Sequence, residues 1–212
     1  VKHILQRKQR WRDQGLELEP NSLFAGRYGI IRKIGLGGHS AVYAARDTRS
    51  PRSSRLVVVK IFDLAFYRAE TDKYITLLLR EAFEHSKLDH PNIVKFIDFG
   101  QAGGCYFIVM EYLYGLSIDE MVREHGPLTE ENLLFVGHQI SKAVVYLESR
   151  DLLHRDVKPS NVVVTRDGTV KLLDFGLSRK RTDVTLSLND EFMGSPHTVS
   201  PEYIRGDDGM DT

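Results

Sequence analysis

The sequence is short of cysteine, of net charge and of long apolar runs, and each shortage excludes a class of protein. Cys105 is the single cysteine among 212 residues, so no internal disulfide can form and a reducing, cytoplasmic compartment is expected. Lysine plus arginine and aspartate plus glutamate both number 29, which gives no reason to expect nucleic-acid binding. The longest purely aliphatic run, Leu56 to Val59, is far shorter than the roughly 20 residues that span a bilayer. No secretory signal is visible, and a membrane anchor outside this chain stays open.

The two ends of the chain differ in character from its middle. Residues 1–26 are predicted to be an extension, because five lysines and arginines precede the first acid, Asp13. This pattern favours a solvated leader over a basic amphipathic helix on a membrane. The chain starts at Val1 rather than Met and stops at Thr212. Both ends indicate a fragment of a longer polypeptide.

The first half of the remaining chain is predicted to form mainly strands. Tyr28–Ile31 and Ala41–Ala44 flank a glycine-rich turn, which is typical of a hairpin. Leu56–Phe62 is nearly continuous in apolar and β-branched residues and predicts a buried strand. Ile93–Phe99 and Tyr106–Met110 predict two more strands. Cys105 lies beside the last of these, so we expect a small buried hydrophobe there.

The second half is predicted to be mainly helical. Apolar residues at helical spacing predict one helix over 71–88, before His90-Pro91, and a longer helix over 129–148. The apolar face of the longer helix is predicted to contain Leu133, Val136, Ile140, Val144 and Leu147. Residues 111–116 indicate a connector. A turn at 166–168 predicts a hairpin of Val162–Thr165 with Thr169–Leu173.

Two motifs in the strand-rich half have the chemistry of phosphate binding. The glycine-rich turn at 35–38 lets backbone N–H groups approach phosphates closely, although such turns often only close hairpins. Lys60 ends a buried strand, where an inward ammonium needs an anion. The alternative is a strand-end lysine that reaches solvent.

The helical half contains a compact polar loop and a second carboxylate on a glycine turn. The loop places one carboxylate, one ammonium and one amide within a few residues. This is the equipment for holding a nucleotide, its magnesium ions and a hydroxyl nucleophile in line. The loop and the turn read His154-Arg155-Asp156-Val157-Lys158-Pro159-Ser160-Asn161 and Asp174-Phe175-Gly176.

Taken in order, these motifs resemble those of protein kinases over residues 28–212. Lys158-Pro159-Ser160-Asn161 resembles the Ser/Thr-specific form, and residues 194–206 are most like bacterial eukaryotic-like Ser/Thr kinases. The resemblance implies an α+β, bilobal fold. It implies an antiparallel-sheet N-lobe over 27–110, a hinge over 111–116 and an incomplete, mostly helical C-lobe over 117–212.

The resemblance also implies catalytic roles. Asp156 would orient the substrate hydroxyl and accept its proton, and Lys158 would neutralise the γ-phosphoryl oxygens. Lys60 would hold the α- and β-phosphates, with Glu81 of the first helix as its partner. Arg155 would pair with a phosphate on the activation segment, for which the candidate acceptors are Thr182, Thr185 and Ser187.

The resemblance further implies the ligands of the metal and of the nucleotide. Asn161 and Asp174 would supply oxygen ligands to Mg²⁺. The residues that would line the nucleotide site are Ile34, Gly35, Gly37, Gly38, Ser40, Val42, Val58, Lys60, Met110, Glu111, Leu113 and Val163.

The implied function is transfer of the γ-phosphoryl group of ATP to Ser or Thr hydroxyls of a protein substrate, with Mg²⁺. Membrane contact is not indicated in this chain, and the oligomeric state stays open. The alternatives are a pseudokinase that binds nucleotide as a scaffold, an inactive kinase fragment, and a small-molecule kinase of related architecture. Ser40, Val58 and His85 depart from the family pattern and favour the first alternative. Because a helix expected after Thr212 is missing, we expect this chain alone to be unstable and inactive.

Overall fold

The computed structural model describes residues 17–36, 40–49, 55–62 and 71–173, with the backbone alone at Lys73 and at 179–180. The chain divides into two compact units. The first unit contains residues 1–77 and 96–112, and the second contains residues 78–95 and 113–212. Among the described residues, no helix has both the length and the hydropathy that crossing a membrane requires.

The first unit is built on a six-stranded antiparallel sheet with strand order β1-β2-β3-β4-β6-β5. Because successive side chains of a strand point to opposite faces, one face of this sheet collects the core. Tyr43, Val59 and Val109 are partners in register and are fully buried there. Cys105 is buried in the same core, as predicted. The strands are β1 Leu23–Phe24, β2 Tyr28–Leu36, β3 Ser40–Asp47, β4 Arg55–Phe62, β5 Phe96–Ala102 and β6 Cys105–Glu111.

A cluster of charged and polar side chains links the start of β2, the end of β3 and the edge strand β5. The guanidinium of Arg27 donates to both carboxylate oxygens of Asp47, at 2.8 and 2.6 Å, and to Asp98 at 2.5 Å. The hydroxyl of Tyr28 donates to the same oxygen of Asp98 at 2.7 Å. The hydrogen bond from Arg27 holds the pKa of Asp47 below its ordinary value, although burial acts in the opposite direction. The buried carboxylate of Asp47 is therefore held in its charged form by Arg27.

The helix α1, Thr71–Ser86, belongs to the first unit up to Leu77 and to the second from Leu78 onward. It ends two residues earlier than predicted. His85 near its end is only 3% exposed. Its Nε2 donates to the carbonyl of Val94 at 2.9 Å, so the polar ring is satisfied at a position where the family pattern has an apolar residue.

Within the described residues, the rest of the second unit contains two further α-helices and five short strands, which form a three-stranded and a two-stranded sheet. Helix α3 begins one residue after the predicted start, because the side chain of Thr129 accepts from the N–H of Asn132 as an N-cap. Strand β9 pairs with β10, as predicted, and also with β7. The elements are β7 Gly115–Ser117, α2 Ile118–His125, α3 Glu130–Glu148, β8 Leu152–Leu153, β9 Val162–Thr165, β10 Val170–Leu172 and β11 Arg179–Lys180.

Further differences from the sequence predictions concern one short helix and two strand boundaries. Helix α2 was not predicted, although Ser117 and Glu120 form a complete capping box at its start. Residues 93–95 are not part of a strand, since Ile93 makes a single bridge to Leu172 and β5 starts only at Phe96. Between β6 and β7 only residues 112–114 lie outside strands, so regular pairing extends into both ends of the predicted connector.

The predicted apolar face of α3 is only partly buried. Ala143 and Leu147 are buried, whereas Leu133 is 60% exposed and its neighbours Leu134 and Phe135 are exposed as well. The packing partners of α3 therefore cover its C-terminal half within the described residues.

Gly115 is expected to be irreplaceable at the start of β7. A Cβ at this position would collide with the carbonyl oxygen of Val164 and lie 2.7 Å from the Cα of Thr165. We expect Gly115→Ala to destabilise the chain by about 2 to 3 kcal/mol, because two backbones must separate. The urea-unfolding midpoint measures this change.

Gly137 provides the matched control for that substitution. It lies inside α3, and a Cβ there meets no atom within 4 Å. Gly137→Ala should raise the free energy of unfolding by about 1 kcal/mol through helix propensity alone. Equal effects of the two substitutions would contradict the close approach at Gly115.

Candidate active site

The polar loop between β8 and β9 is held in place from within the second unit. Arg155 adopts a positive φ of 61°, which turns the chain sharply before Asp156. His154 is buried and its Nε2 donates to the carbonyl of Leu173 at 2.8 Å. Its Nδ1 accepts the backbone N–H of Asp156 at 3.3 Å. The two bonds together assign the neutral tautomer with the proton on Nε2, and they fix the backbone that carries Asp156.

The two carboxylate oxygens of Asp156 have different surroundings. Oδ2 accepts from Nζ of Lys158 at 2.7 Å and from Nδ2 of Asn161 at 2.9 Å. Oδ1 is buried and accepts no hydrogen bond from any residue that the structure describes. A buried carboxylate oxygen without a donor is costly, unless a ligand brings one. The site therefore holds one enclosed acceptor for which the described residues supply no donor.

Asn161 has the geometry of a side chain prepared for a cation. Its Nδ2 donates to both the backbone carbonyl and the Oδ2 of Asp156, each at 2.9 Å, which fixes the orientation of the amide. The amide oxygen makes no hydrogen bond within the described part of the chain. Amide and carboxylate oxygens are the ligands that Mg²⁺ prefers. Asn161 therefore fits the metal that the sequence motifs imply.

The chain just before the predicted metal ligand Asp174 is tied to the same loop. The N–H of Leu173 donates to the carbonyl of Asn161 at 2.7 Å, and the carbonyl of Leu173 accepts from His154. Both backbone groups of Leu173 are therefore bonded to the loop, one residue before Asp174. Asp174 itself lies outside the described residues, as do Phe175 and Gly176.

In the first unit, four predicted site residues share the sheet face opposite the core. Cross-strand partners lie on the same face of a sheet. Lys60 is in register with Val42 and Ile108, and Val58 is in register with Ala44 and Met110. This register places Lys60 beside three of the residues predicted to line the nucleotide site: Val42, Val58 and Met110.

The remaining predicted residues of the first unit lie on the same strands or beyond the described part. Ile34 and Gly35 are on β2, where Gly35 pairs with Val42. Ser40 opens β3. Glu111 ends β6, whereas Gly37 and Gly38 are outside the described residues.

Three further predicted residues belong to the second unit. Glu81 is half-buried on α1. Leu113 is half-buried in the segment between β6 and β7, and Val163 is buried on β9, in register with Ser117. The pairing of Lys60 with Glu81 stays a prediction.

Sequence reasoning missed the part of the site that depends on backbone groups and on Asn92. The side chain of Asn92 donates to the carbonyl of Val170 at 2.8 Å, and its carbonyl accepts the N–H of Leu172 at 2.8 Å. These bonds brace β10 just before Leu173. The only sequence signal was an asparagine directly after His90-Pro91, where a polar side chain in a turn has many other uses.

Comparisons with known proteins agree with this geometry. The model of the protein kinase domain matches residues 28–212. The chain is 38% identical to serine/threonine-protein kinase PrkC of Bacillus subtilis over 86% of its length. It is 35% identical to the probable serine/threonine-protein kinase PknB of Lactococcus lactis over 89% of its length. It spans only 27% and 30% of these two relatives.

A solved structure supports the same assignment. The crystal structure of the PknI kinase domain of Mycobacterium tuberculosis matches with a TM-score of 0.65 and 30% sequence identity. The match covers 76% of this chain and 62% of that domain. The sequence prediction of a kinase fold is confirmed. The chain belongs to the protein kinase domain family and is similar to bacterial serine/threonine kinases.

Proposed function

We propose that the protein carrying this chain transfers the γ-phosphoryl group of ATP to Ser or Thr hydroxyls of other proteins. The observation that carries the proposal is the buried, unbonded Oδ1 of Asp156 beside an Oδ2 that is held by two donors. With Oδ2 already occupied, Oδ1 is the oxygen left to accept from a substrate hydroxyl, and because it is enclosed here, substrate binding would have to open access to it.

Asp156 would position the nucleophile and take up its proton. The substrate hydroxyl donates to Oδ1, and its oxygen attacks the γ-phosphorus while the bond from that phosphorus to the β–γ bridging oxygen breaks. The electron pair of the broken bond leaves with ADP, and the hydroxyl proton ends on Oδ1 of Asp156. Because the transition state of phosphoryl transfer is loose, orientation is the larger part of this contribution.

Lys158 and Lys60 would balance negative charge at different points of the nucleotide. The Nζ of Lys158 lies 2.7 Å from Oδ2 of Asp156, so its charge would be close to a hydroxyl bound at that carboxylate. From there it stabilises charge on the transferred group. Lys60 would contact the α- and β-phosphates.

Asn161 and Asp174 would hold Mg²⁺ through their side-chain oxygens. Bound there, the ion would neutralise phosphate charge and hold the phosphates in a reactive orientation. The contribution of Asn161 follows from its fixed amide, whose nitrogen is used by Asp156 and whose oxygen is left for a ligand.

The proposal is tested by incubating the complete protein that carries this chain with radiolabelled ATP, Mg²⁺ and dephosphorylated casein. We expect label on serine or threonine of casein or of the protein itself, identified by phosphoamino-acid analysis. Nucleotide binding without any transfer would establish the pseudokinase alternative. Transfer to a free aminoglycoside or to choline, but to no protein, would establish a small-molecule kinase.

A further inference from the structure

A cavity of about 440 Å³ lies in the second unit, apart from the residues of the candidate active site. It is formed where the turn at His90 faces the side of α3 that carries His138, Lys142, Val145 and Tyr146. The α3 residues are spaced by three or four positions and so share one helix face. None of these residues has a place in the proposed phosphoryl transfer.

The floor of the cavity is a fixed aromatic ring. The hydroxyl of Tyr146 accepts the backbone N–H of Asp89 at 2.9 Å. The ring centroid of His90 lies 4.8 Å from that of Tyr146, and the guanidinium of Arg150 lies 3.7 Å from the Tyr146 centroid. These contacts hold the ring without covering Val145, which is 63% exposed at the rim. The cavity therefore offers an apolar surface that is already ordered.

The charges around this surface are cationic. The pKa of His90 lies below its ordinary value because of burial and because of the nearby positive charges of Lys142, Arg150 and Lys171. Asp89 precedes His90 in the chain but is exposed and is not among the groups that shift this pKa. Within the described ranges, no ion pair joins Lys142 or Arg150 to a carboxylate. The apolar floor is thus combined with positive charge that this part of the chain leaves unbalanced.

We propose that this cavity docks an acidic peptide segment of a partner protein. One large apolar side chain of the peptide packs on Val145 and Tyr146, and flanking acidic groups pair with Lys142 and Arg150. Charge complementarity selects the acidic segment, and the apolar floor supplies the contact area.

A peptide fits this surface better than a small free anion does. The serine hydroxyls at the cavity are engaged within α3, since Ser141 donates to the carbonyl of Gly137 at 2.8 Å and Ser149 donates to that of Tyr146 at 2.7 Å. They offer few donors to a phosphate. The exposed Val145 also shows that the cavity is open at its rim, so a small ligand would leave much of its surface in water. A peptide gains additional contacts along α3.

The test uses fluorescence anisotropy on the natural protein. The probe is a labelled peptide with one central phenylalanine between aspartates and glutamates. We expect saturable binding that weakens at least about tenfold with Lys142→Glu, with Val145→Asp, or when the probe's phenylalanine is replaced by alanine. The charge-matched control is Arg123→Glu on α2, an exposed position outside the cavity, which should change the Kd less than about twofold.

Four results would overturn the proposal, and none depends on kinase activity. The first is no saturable binding up to about 1 mM of the probe. The second is an equal loss with Arg123→Glu, which would show attraction by net charge alone. The third is displacement of the probe by benzoate at the peptide's own concentration, which would identify a small aryl anion as the occupant. The fourth is dissociation of a self-associated protein by Lys142→Glu without probe, which would identify a second copy of the chain.

Discussion

Replacing Asp156 by asparagine should lower phosphoryl transfer from ATP by about a thousandfold. The amide cannot take up the hydroxyl proton. The new NH2 group would also replace one carboxylate oxygen. In the position of Oδ2 it would face the N–H donors of Lys158 and Asn161, and in the position of Oδ1 it would put a donor where an acceptor is needed. Single-turnover rates with bound ATP measure the loss, and the Kd for ATP should change by no more than about threefold, since Asp156 has no proposed contact with the nucleotide.

The control for this substitution is Asp167→Asn, the same chemical change at an exposed position between β9 and β10. It should leave the transfer rate within about twofold. Thermal melting of the Asp156 variant separates lost chemistry from lost folding. A folded Asp156→Asn protein that keeps more than about a tenth of the rate would remove the proposed role of this residue.

Replacing Arg27 by methionine should destabilise the first unit by about 3 kcal/mol. Asp47 is only 5% exposed, and the substitution removes the guanidinium that donates to both of its carboxylate oxygens. Asp98 loses the same partner. Urea unfolding measures the change, and Arg32→Met, an exposed position on β2, is the matched control with an expected change below about 0.5 kcal/mol.

The same prediction has a signature in its pH dependence. Because the folded-state pKa of Asp47 is depressed, its contribution is fully present above the unfolded pKa of about 3.9 and is lost as pH falls through the lower folded value. The difference in stability between wild type and Arg27→Met should therefore be constant near neutrality and shrink below about pH 4. A stability difference that persists unchanged to about pH 2 would contradict the account, because the charged carboxylate of Asp47 would then not be the source of that difference.

The accuracy of the sequence predictions for the fold depended on the length and position of each element. Helix α3 and the hairpin of β9 and β10 were predicted within a residue or two, because long periodicity and a turn at 166–168 are strong local signals. Helix α2 has only eight residues, which is too short for a clear apolar period, and the capping box at Ser117 is its one strong local signal. Periodicity also placed Leu133 on the buried face of α3. It is exposed, because a pattern does not indicate where a packing partner ends.

For the candidate site, the spacing of residues in the sequence predicted which side chains come together but not which of their atoms are hydrogen-bonded. The motif predicted that Asp156, Lys158 and Asn161 lie close together, and in the structure both Lys158 and Asn161 contact the carboxylate of Asp156. The sequence could not show that one oxygen of Asp156 is bonded and the other free. Nor could it show that both backbone groups of Leu173 are tied to the loop, because that depends on how β10 pairs and on Asn92.

The most direct test of the central claim is calorimetric titration of the natural protein with ATP, with Mg²⁺ and again with a chelator. The claim is that Lys60 and Asn161 serve one metal-bound nucleotide, Lys60 at its phosphates and Asn161 at its metal. We predict that Lys60→Met weakens ATP binding at least about tenfold in both conditions, whereas Asn161→Ala does so only with Mg²⁺. Unchanged affinity in both folded variants would contradict the account.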